Sequence, residues 1–258
     1  MRGKFIAIYG INNIGKSTQT SLLVQRLISR NQRVEFVKYP VYDLDPTGKM
    51  LNEILRGKRQ KTNIQATINF FPGTKVRRPG IRRSKNSIFR THPISRTEVK
   101  QLVTEEELQM WYSLNRYQFD PLIRKKLESG ISIVAEDYTG TGLAWGTAKG
   151  ADHEWLVNVN KFLQKPDLEI LMDGERFLDG KEKNHLHESS NRLIKKARVA
   201  FQSIAGKYSW KIVNANRPIK KVSTDIWQLT CPLFRKKQDS GEAPLANWQT
   251  TPPVLFGN

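Results

Sequence analysis

The stretch that decides the fold is "KFIAIYGINNIGKST", residues 4–18. Lys4–Tyr9 is a short apolar run that stops at a glycine, the pattern of a strand buried on both faces. Gly10 then precedes Gly15-Lys16-Ser17 by four residues. Glycines at these two places let the backbone curl until several N–H groups converge on one anion, and a helix starting at Lys16 adds its positive end. Lys16 can reach the β/γ-phosphates of a nucleotide, and Ser17 can offer its hydroxyl to Mg²⁺. With Asn12, Asn13, Ile14 and Thr18, the loop is predicted to hold a nucleoside triphosphate. Asn12 and Asn13 leave its middle without charge.

Working outward, residues 16–30 have helical spacing, with Leu22, Leu23, Leu27 and Ile28 able to share a face. Arg33–Lys38 alternates as a second strand and stops at Tyr39-Pro40, so the first forty residues form one strand–helix–strand unit. A short helix is predicted over 47–55. Thr104 with Glu107 is a capping-box pattern, opening a helix that carries Leu108, Trp111, Leu114 and Tyr117. Pro121 is predicted to kink or restart that helix before it ends near Gly130. Strands are predicted at Ile131–Ala135, Leu168–Met172 and Lys211–Val213, with helices over 189–205, stopped by Gly206, and over 219–229. The glycine-rich segment around Trp145 reads as a turn. Five strands alternating with helices predict an α/β, doubly wound, five-stranded parallel sheet flanked by helices, with a basic insertion.

The net formal charge of the 258-residue chain is +19, unevenly distributed. Residues 58–100 hold twelve Lys or Arg against Glu98 alone, with three prolines and no periodicity. The expected organisation is a kinase-like domain over 1–232, a basic insertion within it at 58–103, and a patternless tail over 233–258. Basic charge attracts phosphates of any kind, so it does not separate a nucleotide enzyme from a nucleic-acid binder. One cysteine, Cys231, permits no intrachain disulfide, and no apolar run approaches the roughly 20 residues of a membrane span. A cytoplasmic protein without a membrane partner is the expectation. His185 and His187, with no further ligands nearby, do not make a convincing metal site.

"LNRYQFDPLIRKKLESGISIVAEDYTGTGLAWGTAKG", "KPDLEILMDGERF" and "SWKIVNANRPIKKVSTDIW" follow the loop in the order seen in thymidylate kinases. The chain resembles that family from about Arg2 to Thr230, apart from the insertion. The resemblance implies Mg²⁺- and ATP-dependent phosphorylation of dTMP to dTDP. It implies that Tyr112 stacks on thymine while Arg116 reads the base edge, and that Trp145 is an aromatic gate under the sugar. From spacing alone, Tyr112 and Trp145 read equally well as core residues. Tyr39 joins the acceptor-binding set. Asn214 and Ala215 fall in the loop bordering adenine. Residues 173–190 resemble the lid that closes over ATP, with Arg176, Lys181 and Lys183 as cations for the transferring phosphoryl group. Glu136 would serve the metal. A homodimer is common in the family, and the helix bearing Trp111 is one candidate interface.

The departures cluster around the acceptor. Asn12 stands where the family usually carries an acid. Asn13 stands where some members place an arginine. Asp137 and Tyr42 replace arginines expected to hold the acceptor phosphate, and an anion beside Asp137 is repelled. Lys38, Lys49, Lys149 or arginines of the insertion are the candidates to compensate. The alternatives are a kinase for another (deoxy)nucleotide or a deoxynucleoside, or a phosphate-loop protein whose insertion binds nucleic acid.

Overall fold

The structure is a computed structural model that describes residues 2–56, 103–177 and 191–234. Strands β1 (Phe5–Tyr9), β2 (Val34–Lys38), β3 (Ser132–Glu136), β4 (Leu168–Asp173) and β5 (Lys211–Asn214) form one sheet in the order β2-β3-β1-β4-β5. Every pairing is parallel. The helices are α1 (Lys16–Ile28), α2 (Thr47–Leu55), α3 (Glu105–Glu128), α4 (Thr139–Ala148), α5 (His153–Asn158), α6 (Asn191–Lys207) and α7 (Ile219–Thr230), with a 3₁₀ turn at Cys231–Phe234. This is the α/β, doubly wound parallel sheet predicted from the alternation of strand and helix patterns. The insertion, most of the lid and the tail lie outside the described residues.

β1 is fully buried along its length, which explains its unbroken apolar sequence. It sits at the centre of the sheet, with Ile8 in register with Glu136 of β3 and Tyr9 with Leu171 of β4. The carboxyl ends of β1, β3 and β4 therefore open side by side, and the glycine loop leaves from the middle of that row. Open α/β sheets bind ligands at such an edge.

Three local expectations are corrected. Pro121 neither kinks nor restarts α3, which runs unbroken through it. Proline removes one donor, but Asp120 beside it accepts from Arg124 Nε at 2.5 Å and from Gln164 N at 2.8 Å, holding that turn. Gly206 does not stop α6, which continues to Lys207; the left-handed residue beyond it is Ser209, at φ 58°.

The third correction is α4. "TGTGLAWGTA" reads as a turn because glycine weakens a helix by roughly 1 kcal/mol per residue. Its glycines instead mark close approaches. A Cβ on Gly140 would lie 2.3 Å from Trp210 Cη2 and 2.8 Å from Tyr9 Cε2, and one on Gly146 would lie 2.8 Å from Leu156 Cδ1. α4 is thus pressed against the sheet and its neighbours, and tertiary packing overrides its poor propensity.

The two kinds of glycine separate experimentally. Gly140→Ala is expected to destabilise the fold by about 1–3 kcal/mol through overpacking. Gly206→Ala, with nothing within 4 Å of its Cβ, is expected to stabilise α6 by up to about 1 kcal/mol. Urea unfolding midpoints of the two variants should move in opposite directions.

Candidate active site

Gly10, at φ 150°, passes so near β4 that a Cβ would sit 2.6 Å from the Met172 carbonyl oxygen. Gly15 caps α1 in the left-handed region, at φ 87°. Between them the loop wraps the space in front of α1. Lys16 is buried and donates to the carbonyls of Gly10 (3.0 Å) and Ile11 (3.1 Å), which keeps its ammonium inside the loop's curl. Ser17 Oγ donates to Glu136 Oε1 at 2.8 Å, and Lys38 Nζ lies 3.0 Å from the same oxygen. A hydroxyl and a carboxylate this close are hard oxygen donors suited to Mg²⁺. Among the described residues no cluster of three or more His, Cys, Asp or Glu could hold a metal alone. Phosphate oxygens and water would therefore have to complete the shell.

A cavity of about 530 Å³ runs from this loop to the face of α3. Asn12, Asn13, Gly15, Lys16, Ser17 and Thr18 form one wall; Tyr39, Tyr112, Arg116, Glu136, Asp137 and Trp145 line the rest. The sequence-predicted loop and acceptor residues thus converge on one space. Asn115 and Arg116 divide the work of one helical turn. Fully buried Asn115 bonds Val41 N (2.8 Å), Val41 O (2.9 Å) and Thr47 Oγ1 (3.0 Å), fixing the chain after β2. Arg116, 3% exposed, donates to Asn160 Oδ1 (3.1 Å) and Ser113 Oγ (3.2 Å). Burial lowers its pKa from the usual arginine range, although nearby tyrosines favour the charge. Burial likewise pushes the Tyr112 phenol far up, so it stays neutral.

Asp137 lies directly after β3 in a left-handed conformation, φ 59°. Its Oδ1 accepts from Thr141 Oγ1 at 2.7 Å, and its Oδ2 is 3.7 Å from Lys16 Nζ. Burial raises its pKa, against the pull of Lys16. Tyr42, where the resemblance led to the expectation of an arginine, also lines the cavity. Of the candidate compensating cations, Lys38 is on Glu136 and Lys149 is on Glu105 at 2.8 Å. Lys49 is exposed and does not line the cavity.

Other predicted site residues sit elsewhere. Gly10 and Ile14 shape the loop from behind. Arg176 Nη2 donates to Asn191 Oδ1 at 2.5 Å, at the start of α6. Asn214 ends β5 and Ala215 follows it, and neither lines this cavity. Lys181, Lys183, His185 and His187 lie outside the described residues. Trp111 packs with α2 rather than standing free.

Sequence reading missed Phe177, whose backbone N–H donates to Asn13 O at 2.8 Å, bringing the segment after β4 onto the loop. It also missed Gln109, 2% exposed, whose Nε2 donates to Glu105 Oε1 at 2.8 Å and whose Oε1 has no hydrogen-bond partner among the described residues. Gln109, Tyr112 and Arg116 are spaced i, i+3, i+7, a helical face that could have identified it.

The sequence model of the thymidylate kinase family matches residues 89–226. A thymidylate kinase of Dictyostelium discoideum is 26% identical over 95% of this chain and 92% of its own length. The human thymidylate kinase is 24% identical over 91% of this chain and 92% of its own. A solved thymidylate kinase structure from Candida albicans superposes with a TM-score of 0.64 at 21% identity, covering 90% of this chain and 93% of that one.

Lys16 is the loop's own cation, and its removal tests the loop's part in phosphoryl transfer. Lys16→Met is expected to cut ATP-dependent phosphoryl transfer by at least about a hundredfold, with an unchanged circular dichroism spectrum.

Proposed function

The chain belongs to the thymidylate kinase family, and from that premise we propose that it transfers the γ-phosphoryl group of ATP to dTMP, giving dTDP and ADP. The observation carrying this reading is that the glycine loop and the Tyr112–Arg116 face of α3 line one cavity. A nucleotide donor and a nucleotide acceptor can thereby meet end to end. Tyr112 offers a flat apolar ring for the base, and the buried guanidinium of Arg116 donates to a base carbonyl. Trp145 flanks the sugar and Tyr39 the acceptor's approach.

The chemistry needs no covalent enzyme intermediate. An acceptor phosphate oxygen attacks the γ-phosphorus in line, and the β,γ-bridging bond breaks to release ADP. Lys16 and the N–H groups of the loop hold the developing charge. Mg²⁺ at Ser17 and Glu136 would offset charge on the β- and γ-phosphates. Arg176, Lys181 and Lys183 of the lid would add cations on closure, while Asn214 and Ala215 would border adenine. Arginines of the 58–100 insertion are the source we assign for the positive charge that Tyr42 and Asp137 do not give the acceptor phosphate. A cytoplasmic homodimer is the corresponding family expectation. Met110, Leu114 and Leu122 are the large apolar side chains exposed on α3 for such contact. No helix among the described residues is long and apolar enough to cross a membrane.

A coupled ADP-release assay over dTMP, dUMP, dCMP and dGMP tests the reading. dTMP is expected to give the highest kcat/KM; preference for a cytosine or purine acceptor would refute it. Arg116→Met is expected to lower kcat/KM for dTMP by about tenfold to a hundredfold, as loss of a hydrogen bond from a charged donor requires.

A further inference from the structure

The chemistry of the cavity changes along its length. At the α3 end the reading groups are Arg116, Gln109 and Tyr112, suited to a base. At the loop end, where the reacting oxygen must meet the γ-phosphorus beside Lys16, stands the carboxylate of Asp137, 3.7 Å from the Lys16 ammonium. Thr141 Oγ1 and a left-handed backbone hold it there. Non-glycine residues adopt that backbone region uncommonly, although Asp and Asn do so more readily than most.

A monophosphate acceptor brings nearly two negative charges to this point. Among the described residues lining the cavity the cations are Lys16, Lys38, Arg116 and Lys149. Lys16 serves the donor, Lys38 and Lys149 carry carboxylate partners, and Arg116 is at the base end. A carboxylate repels phosphate but accepts a hydrogen bond from a hydroxyl, and a charged acceptor makes that bond strong. We propose that the same cavity also phosphorylates the uncharged 5′-hydroxyl of a pyrimidine deoxynucleoside, with Asp137 as the residue that receives and orients that hydroxyl. This rests on the reading of the cavity as the acceptor site.

In the step, the 5′-oxygen–phosphorus bond forms and the β,γ-bridging bond of ATP breaks, its electron pair leaving with ADP. The hydroxyl proton, held in the hydrogen bond to Asp137, is released to solvent as the monophosphate forms. Phosphoryl transfer passes through a loose transition state, so the main demand on the protein is to place the oxygen in line. A carboxylate fixed by Thr141 beside the γ-phosphate lysine meets that demand. A hydroxyl acceptor also requires no cation from residues 58–100, whereas a phosphate acceptor does.

The test is product analysis on the full chain with ATP, Mg²⁺ and either thymidine or dTMP, using wild type, Asp137→Asn and Asp137→Arg. Wild type is expected to convert thymidine to dTMP. Asp137→Asn, which tolerates the same backbone, is expected to lower kcat/KM for thymidine by about tenfold or more and, by removing a charge that repels phosphate, to lower the KM for dTMP. Asp137→Arg is expected to abolish thymidine turnover and to lower the KM for dTMP. If wild type makes dTDP from dTMP but nothing from thymidine, the inference fails and the family activity stands. Equal losses on both acceptors in Asp137→Asn also overturn it, because the residue would then be structural. If neither acceptor is phosphorylated, the acceptor reading falls with it.

Discussion

Glu136 ends β3 with a carboxylate that is 2% exposed, and three side chains from two other elements reach it. Ser17 and Thr20 come from α1, at 2.8 and 3.4 Å, and Lys38 comes from the end of β2, at 3.0 Å. A buried charge is tolerated only when paired and hydrogen-bonded, so these contacts are a condition of the fold as well as a feature of the site. They fix how far α1 starts from the sheet edge, and hence where the glycine loop opens. Asp137, the next residue, leaves β3 beside the loop, 3.7 Å from Lys16 Nζ. Donor and acceptor halves of the cavity therefore share one electrostatic anchor.

The parts of this arrangement that rest on backbone geometry were legible in the sequence. Gly10 and Gly15 are required by a close approach to Met172 and by a left-handed helix cap, and no other residue type meets both needs. The strands were legible for the same reason. A parallel sheet covered on both faces demands apolar runs; β1 is one along its whole length, and Ile133–Ala135 of β3 and Ile170–Met172 of β4 are shorter ones. The Tyr112–Arg116 face was legible through resemblance to a family and not through its spacing, which a core face shares.

What was not legible depends on partners that meet only in three dimensions. α4 is a helix because Trp210, Tyr9 and Leu156 crowd its glycines, and those residues come from β1, α5 and the turn before β5. Gln109 is informative because its amide nitrogen donates to Glu105 while its oxygen has no partner among the described residues, a fact absent from any one-dimensional pattern. Lys149 counts as a candidate cation until Glu105 is placed beside it. Pro121 reads as a break until Asp120 is seen binding both Arg124 and Gln164 N.

The altered positions then take on a common sense. An aspartate at residue 137, where the family resemblance implies an arginine, differs by two units of local charge and leaves the hub intact, because Glu136 keeps its hydroxyl and ammonium partners. The loop can hold a triphosphate as before, since its groups are backbone N–H, Lys16 and Ser17. On the proposed reading of the acceptor, only the region between Lys16 and Thr141 changes character, from one that attracts an anion to one that accepts a hydrogen bond. Selectivity for the acceptor's reacting group can thus diverge while the fold, the donor site and the base-facing helix remain those of the family. Low sequence identity at constant architecture is what such a separation of roles permits.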